Sequence, residues 1–143
     1  MASGGNKCSM VVMSGDMDKI FGAFIIATGA AAAGMETTMF FTFWGLNAIR
    51  KDKVRAGQGL LGKMMGLLNR GGISNLNPSK FSFGGIGRRL FKKMMKDKGV
   101  VSLPELLELA VDLDVKLLAC KMSMDVMEIG REYEMFLSVD QPP

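Results

Sequence analysis

Short apolar runs alternate with one long periodic run in the first third of the chain. The run Ser9–Met13 ends at a Ser-Gly-Asp turn and predicts a strand buried on both faces. A helix from Met17 to about Ala33 is predicted next, with Asp16 as its N-cap and Gly34 as its end. Met35–Phe43, rich in Thr and Phe, predicts a second strand. This order indicates a βαβ unit, with a right-handed crossover between parallel strands.

The last third of the chain returns to the same kind of pattern. Ser102 and Glu105 form a capping-box sequence ahead of an apolar helical face. Val115–Cys120 predicts a buried strand, and a helix is predicted from Met122 to about Tyr133. Phe136–Val139 has the composition of a short edge strand. With the first unit, these elements predict an α/β fold built on a parallel sheet.

The middle of the chain, at about residues 50–98, differs in composition. Short helices are predicted at Leu46–Val54, Leu60–Leu68 and Ile86–Lys96, separated by glycine-rich segments. Because methionine packs adaptably and glycine loosens the backbone, this basic Gly/Met-rich helical insertion is predicted to form mobile helices under or over a pocket. A disordered basic insertion is the alternative. A single domain spanning residues 1–143 is predicted from the length.

Charge separates this middle segment from the rest of the chain. The net charge is +4, but Arg50–Lys98 holds 13 basic and two acidic residues, while the remainder holds five basic and 12 acidic. A basic segment between acidic ends predicts a docking surface for an anionic partner, whether protein, nucleic acid or membrane headgroups. Nucleic acid is disfavoured, because only Phe81, Phe83 and Phe91 could stack on bases there.

The longest apolar run, Ile20–Met35, has 16 residues. A spanning helix needs about 20, and a secretory signal has a positive flank where this run has Asp16 and Asp18. The run therefore predicts a buried helix in preference to a membrane or signal segment. Two cysteines in a chain otherwise without thiols fit a reducing, cytoplasmic location.

Composition also limits the chemistry. The chain has no histidine, which excludes Ser-His-Asp and Cys-His catalysis and removes the commonest metal ligand. Two cysteines are too few for a four-cysteine zinc site, and no carboxylate pair has a ligand-like spacing. We therefore predict no metal site, and nucleophilic or redox chemistry falls on a thiol. No cofactor is predicted, because no motif in the sequence identifies one.

Candidate site residues follow the predicted strands, because ligands of a parallel sheet bind at the carboxyl ends of its strands. Three such exits supply Ser14, Gly15 and Asp16, then Trp44, Gly45 and Asn47, then Cys120, Lys121, Met122 and Ser123. Cys120 is the strong nucleophile of the set. A helix predicted to begin near Met124, together with Lys121, stabilises a thiolate there and lowers its pKa. A buried, inert thiol is the alternative.

Cys8 is predicted to be structural or incidental. It precedes the first strand and lies roughly 15 Å or more from the strand exits. A disulfide needs Cα atoms within about 7 Å, so Cys8 is not predicted to pair with Cys120.

Two glycine motifs carry little weight. Gly57–Lys63 fits the start of a phosphate-binding P-loop, but Met64 replaces the Ser or Thr that holds magnesium, and no strand precedes the motif. The turn Gly84–Arg89 could bind an anion at a helix N-terminus, although a hinge is favoured. Neither motif indicates nucleotide hydrolysis.

Four blocks of residues, in this order and at these separations, resemble one family. They are Met10–Asp18, Met39–Arg50, Gly84–Gly87 with its basic Met-Met helix, and Ala119–Asp125. Over about residues 9–129 the chain resembles the DsrE/DsrF-like family, specifically its stand-alone peroxiredoxin-like subgroup. The resemblance implies a flavodoxin-like parallel sheet of four to five strands with helices on both faces, a three-layer sandwich. The chain departs from the family pattern at Arg131–Phe136, which leaves the final strand open.

The resemblance also implies sulfur relay, in which a cysteine accepts sulfane sulfur as a persulfide and passes it to an acceptor thiol. The family cysteine corresponds to Cys120. Sulfur donor and acceptor proteins are the implied partners, and a homo-oligomer, commonly a trimer or hexamer, is implied as well. The resemblance supports a sulfurtransferase-like mechanism and leaves open whether the chain is an enzyme.

The leading hypothesis is a cytoplasmic sulfur carrier or sulfurtransferase that holds sulfur on Cys120. Lys121 and Ser123 are expected to stabilise the thiolate or line its pocket, with Ser14, Gly15, Asp16, Trp44 and Asn47. The alternative is a non-catalytic binding module, in which the basic segment contacts an acidic protein and Cys120 is merely packed. A third interpretation places Ile20–Met35 or the glycine-rich middle at a membrane surface.

Overall fold

The structure, a computed structural model, describes residues 5–50, 60, 63–64, 72–80, 83–127 and 139–140. Its helices and strands are, in chain order, β1 (Lys7–Val12), α1 (Met17–Ala32), β2 (Glu36–Phe41), α2 (Ile86–Asp97), α3 (Leu103–Asp112), β3 (Lys116–Ala119), α4 (Lys121–Val126) and β4 (Val139–Asp140). Short 3-10 helices cover Phe43–Ala48, Ile73–Asn75 and Phe83–Gly85. The predicted helix Leu60–Leu68, the motif Gly57–Lys63 and the chain from 128 to 138 lie largely outside the described residues.

All the described strands run parallel, in the order β1-β2-β3-β4. This arrangement confirms the predicted α/β class with a parallel sheet. Because β4 adds only two residues, the sheet has three full strands, and four to five strands stay a prediction. The described strands lie side by side in the order in which they occur along the chain. If every crossover between them is right-handed, the connecting helices all lie on the same face of the sheet. The three-layer arrangement, with helices on both faces, also stays a prediction.

One face of the sheet carries the hydrophobic core. Alternate strand residues are buried there, as strand geometry requires: Thr37, Met39, Phe41, Leu117 and Ala119. Helix α1 covers this face with residues spaced by three or four, namely Met17, Ile20, Phe24, Ala27 and Thr28. The rings of Phe24 and Phe41 have centroids 6.1 Å apart. Helix α3 packs beside α1, so the core fixes the three strand ends relative to one another.

The opposite face of the sheet is more open. Val11 is 62% exposed, so the prediction that β1 is buried on both faces is wrong. Phe40 and Leu118 on the neighbouring strands are half-buried. Cys120 follows Leu118 by two residues, and strand alternation therefore directs it toward this open face.

Some of the helix ends predicted from the sequence are present in the structure, and one differs. Ser102 caps α3, and the Ser102 backbone N–H donates to Glu105 Oε2 at 2.8 Å, which completes the predicted capping box. Gly34, at φ 84°, follows α1 as expected. Asp16 is the N-cap of α1 but makes no side-chain capping hydrogen bond. Its carboxylate accepts hydrogen bonds from Ser14 and Lys19 instead.

The apolar run Ile20–Met35 contributes most of α1, and its buried stripe packs against the sheet. Among the residues that the structure describes, no helix combines the length and the apolar character that crossing a bilayer requires. This placement agrees with the predicted buried helix.

Candidate functional site

Three loops meet at the carboxyl ends of β1, β2 and β3. The backbone N–H of Gly45 donates to the carbonyl of Met13 at 3.1 Å, which joins the first two loops. The backbone N–H of Cys120 donates to the carbonyl of Phe41 at 2.9 Å, which joins the last two. These bonds hold the residue after each strand in a fixed place, independently of the side chains.

Two glycines allow the first two loops to approach this closely. A Cβ atom on Gly45 would lie 2.1 Å from the carbonyl oxygen of Val12, and one on Gly15 would lie 2.6 Å from the carbonyl oxygen of Trp44. Both obstacles are backbone atoms, so no side chain fits at either position. Gly15 and Gly45 therefore set the spacing of the loops, and they contribute no side chain to a pocket.

Cys120 is the N-cap residue of α4, because the helix begins at Lys121. The helix begins one residue before Met122 and three residues before Met124, the two predicted starts, so the cysteine lies closer to the helix terminus than expected. An N-cap side chain faces the backbone N–H groups two and three residues ahead, which here belong to Met122 and Ser123. The thiol of Cys120 is partly exposed, so it remains within reach of solvent.

Hydrogen-bond donors around the sulfur favour its ionised form. The hydroxyl of Ser123 has the largest effect and lowers the pKa of the Cys120 thiol below its usual range. Partial burial opposes this shift, while the backbone N–H groups of Ser123 and Met122 and the hydroxyl of Thr42 add to it. The thiol makes no side-chain capping hydrogen bond, and sulfur becomes a strong acceptor for these donors once it loses its proton.

Thr42 is a site residue that the sequence analysis missed. Its Oγ1 lies 2.7 Å from Ser123 Oγ, and both hydroxyls are buried. When Thr42 donates to Ser123, the Ser123 proton is free to point at the sulfur, and the two bonds reinforce each other. The signal that could have found it is register: Phe41 pairs with Ala119, so the residues after them, Thr42 and Cys120, lie side by side.

The first-loop candidates interact with one another. Ser14 Oγ donates to Asp16 Oδ2 at 3.0 Å, and Lys19 Nζ lies 2.8 Å from the same oxygen. The Asp16 carboxylate is thus occupied beside the start of α1. Within the described part of the chain, neither Ser14 nor Asp16 is among the groups that shift the Cys120 pKa.

The candidates of the second loop lie at the same end of the sheet and differ in burial. Asn47 is buried, and its Oδ1 accepts a hydrogen bond from Arg50 Nη1 at 3.2 Å. Arg50 is itself buried, although the sequence placed it only in the basic segment. Trp44 is half-exposed, next to Phe43 in the left-handed region at φ 46°.

Lys121, in the third loop, is exposed as the first residue of α4. The roles predicted for Lys121 and the second-loop residues stay predictions.

Cys8 lies far from this site. It pairs in register with Thr37, whereas Cys120 is level with Thr42, and five residues separate the two levels by ~16 Å along the strands. Both cysteines are free thiols. The predicted separation is therefore present, and the geometry excludes a disulfide between them within this chain.

The acidic residues do not gather into a ligand set here. Within the part of the chain that the structure describes, no group of three or more Cys, Asp or Glu side chains comes together as metal ligands would.

Comparisons with known proteins show the family of this chain. The model of the DsrE/DsrF/DrsH-like family matches residues 5–139. The chain is 42% identical over 135 residues to YrkE, an uncharacterized protein of Bacillus subtilis, covering 94% of this chain and 84% of that protein. It is 32% identical over 129 residues to the sulfur carrier protein DsrE2 of Allochromatium vinosum, covering 87% and 80%. The chain therefore belongs to the DsrE/DsrF/DrsH-like family.

Proposed function

We propose that this chain is a sulfur carrier or sulfurtransferase that holds sulfane sulfur as a persulfide on Cys120. The observation that carries the proposal is a partly exposed thiol whose pKa is lowered by Ser123 at the N-terminus of α4. Family membership and the relative named as a sulfur carrier support the same role. A thiolate at neutral pH is what such chemistry requires, because the thiol form is a poor nucleophile.

The reaction exchanges one sulfur–sulfur bond for another. The Cys120 thiolate attacks the outer sulfur of a donor persulfide, a new bond forms at Cys120, and the donor thiolate leaves with the electron pair of the broken bond. An acceptor thiolate then attacks the outer sulfur on Cys120, which restores the Cys120 thiolate. Neither step is a net oxidation or reduction, so the exchange needs no redox cofactor.

The groups around Cys120 stabilise the negative charge of its thiolate. The Ser123 and Thr42 hydroxyls and the two backbone N–H groups of α4 stabilise the Cys120 thiolate before loading and after discharge. Lys121 is proposed to add positive charge, and the loops of Ser14–Asp16 and Trp44–Asn47 to shape the entrance. Donor and acceptor proteins are the proposed partners, while a trimeric or hexameric assembly and a cytoplasmic location stay predictions.

Intact-mass measurement after exposure to polysulfide tests the proposal. The wild-type chain is expected to gain the mass of one sulfur atom and to lose it with reductant, and Cys120→Ser is expected to gain nothing. Cys8→Ser is the matched control, because it removes the other thiol, ~16 Å away along the strands, and should load as the wild type does. Equal loading of Cys120→Ser and wild type would refute the proposal.

A further inference from the structure

Helix α2 exposes the side chains that an amphipathic helix normally buries. Ile86, Leu90 and Met94 recur every four residues and form one stripe. They are 71%, 59% and 57% exposed, and no residue of α2 is buried. Phe83, just ahead of the helix, is 70% exposed as well. A contiguous apolar stripe of this kind on a surface marks an interaction site.

The side of α2 that faces the rest of the chain carries Arg88, Lys92 and the half-buried Met95. Arg88 Nη1 donates to the carbonyl of Asn75 at 2.8 Å, and Lys92 Nζ donates to the carbonyl of Ser74. Behind these contacts, a cavity of about 620 Å³ separates the helix from the start of α3. The helix is thus held by charged hydrogen bonds on its inner side, which turns its apolar stripe outward.

Positive charge borders the stripe. Helix α2 has one acidic residue, Asp97, at its end, and five basic residues, Arg88, Arg89, Lys92, Lys93 and Lys96. At 100° per residue, Arg89 and Lys93 lie beside Ile86 along one edge of the stripe. No described ion pair uses either of them. In a two-fold, antiparallel pairing with the α2 of a second copy, this basic edge would meet itself, and such like-charge contact disfavours self-association here.

We infer that α2 docks this stripe on an anionic lipid surface. An exposed row of Ile, Leu, Met and Phe beside a row of Lys and Arg is the composition of helices that lie in the plane of a bilayer interface. The stripe is a convex ridge, which a fluid interface accommodates without a shaped groove. Basic residues at its edge meet the negative surface potential of anionic headgroups. The stripe lies on α2 and does not include Cys120, so docking is independent of sulfur loading.

Vesicle flotation of the full-length chain tests this inference. We expect binding to vesicles of equimolar phosphatidylcholine and phosphatidylglycerol at low salt, and loss of binding to phosphatidylcholine alone or at high salt. The double variant Arg89→Gln, Lys93→Gln should bind about 25-fold more weakly, because each basic residue near the surface contributes about fivefold. The double variant Leu90→Gln, Met94→Gln should also lose binding, because it removes the inserted side chains.

Matched controls separate the stripe from general surface properties. Leu109→Gln removes an exposed apolar side chain of α3, and Lys80→Gln removes an exposed charge outside α2. Both should bind anionic vesicles as the wild type does, and so should Cys120→Ser. All substitutions are at surface positions, and circular dichroism should show unchanged helix content. Absence of binding to anionic vesicles, or unchanged binding of the stripe variant, would overturn the inference and assign the stripe to a protein partner.

Discussion

Replacing Gly45 by alanine is expected to destabilise the fold by about 3 kcal/mol. The added Cβ would lie 2.1 Å from the Val12 carbonyl oxygen and 2.8 Å from its carbon, and both are backbone atoms that cannot rotate away. The end of β1 and the 3-10 helix after β2 must then separate. A loss of this size is a large part of the stability of a small domain, commonly 5–15 kcal/mol. Urea denaturation of the variant measures it.

Gly22→Ala is the matched control for this prediction. Gly22 lies inside α1, where a Cβ would meet no atom within 4 Å, and alanine there should stabilise the helix by about 0.5–1 kcal/mol. The geometry therefore predicts a loss of stability for Gly45→Ala and a gain of stability for Gly22→Ala. Equal stability of Gly45→Ala and the wild type would contradict the close approach of these loops.

Removing the Ser123 hydroxyl is expected to raise the pKa of Cys120 toward its ordinary value. This hydroxyl has the largest effect on the thiol and is fully buried beside Thr42. Fewer chains then carry a thiolate at neutral pH, and alkylation of Cys120 by iodoacetamide should slow by about fivefold. A fully desolvated hydrogen bond to a charged group would correspond to a factor of about ten or more, and solvent around the partly exposed sulfur reduces the expected factor to about five.

Ser14→Ala separates this effect from a general loss of hydroxyls near the site. Ser14 donates to Asp16, and it is not among the groups that act on the Cys120 pKa. Its alkylation rate should match that of the wild type, both measured in a Cys8→Ser background so that one thiol reacts. If Ser14→Ala slows alkylation as much as Ser123→Ala does, the assignment of Ser123 to the thiolate is wrong.

Features with a local cause could be predicted from the sequence. The apolar spacing of α1, the capping box of Ser102 and Glu105 and the end of α1 at Gly34 each depend on residues within a few positions. Short apolar runs and the order of strands and helices indicated the parallel sheet. The same reasoning places Cys120 at the end of a strand.

Features that depend on distant partners could not be predicted in this way. The pair of Thr42 and Ser123 joins residues 81 positions apart, and only the register of β2 with β3 brings them together. The open face of β1 depends on what packs against the sheet, which an apolar run does not reveal. The outward stripe of α2 depends on hydrogen bonds from Arg88 and Lys92 to the carbonyls of Asn75 and Ser74, which the spacing of its own residues does not reveal.

The pH dependence of sulfur loading on Cys120 tests the central claim most directly. In a Cys8→Ser chain with polysulfide in excess, the loading rate should follow the thiolate fraction of Cys120. Because the pKa of Cys120 in the folded chain is lowered from the ordinary thiol value of 9.0, the rate should reach half its maximum below pH 9.0. A midpoint at or above that value, or no loading at any pH, would contradict the account.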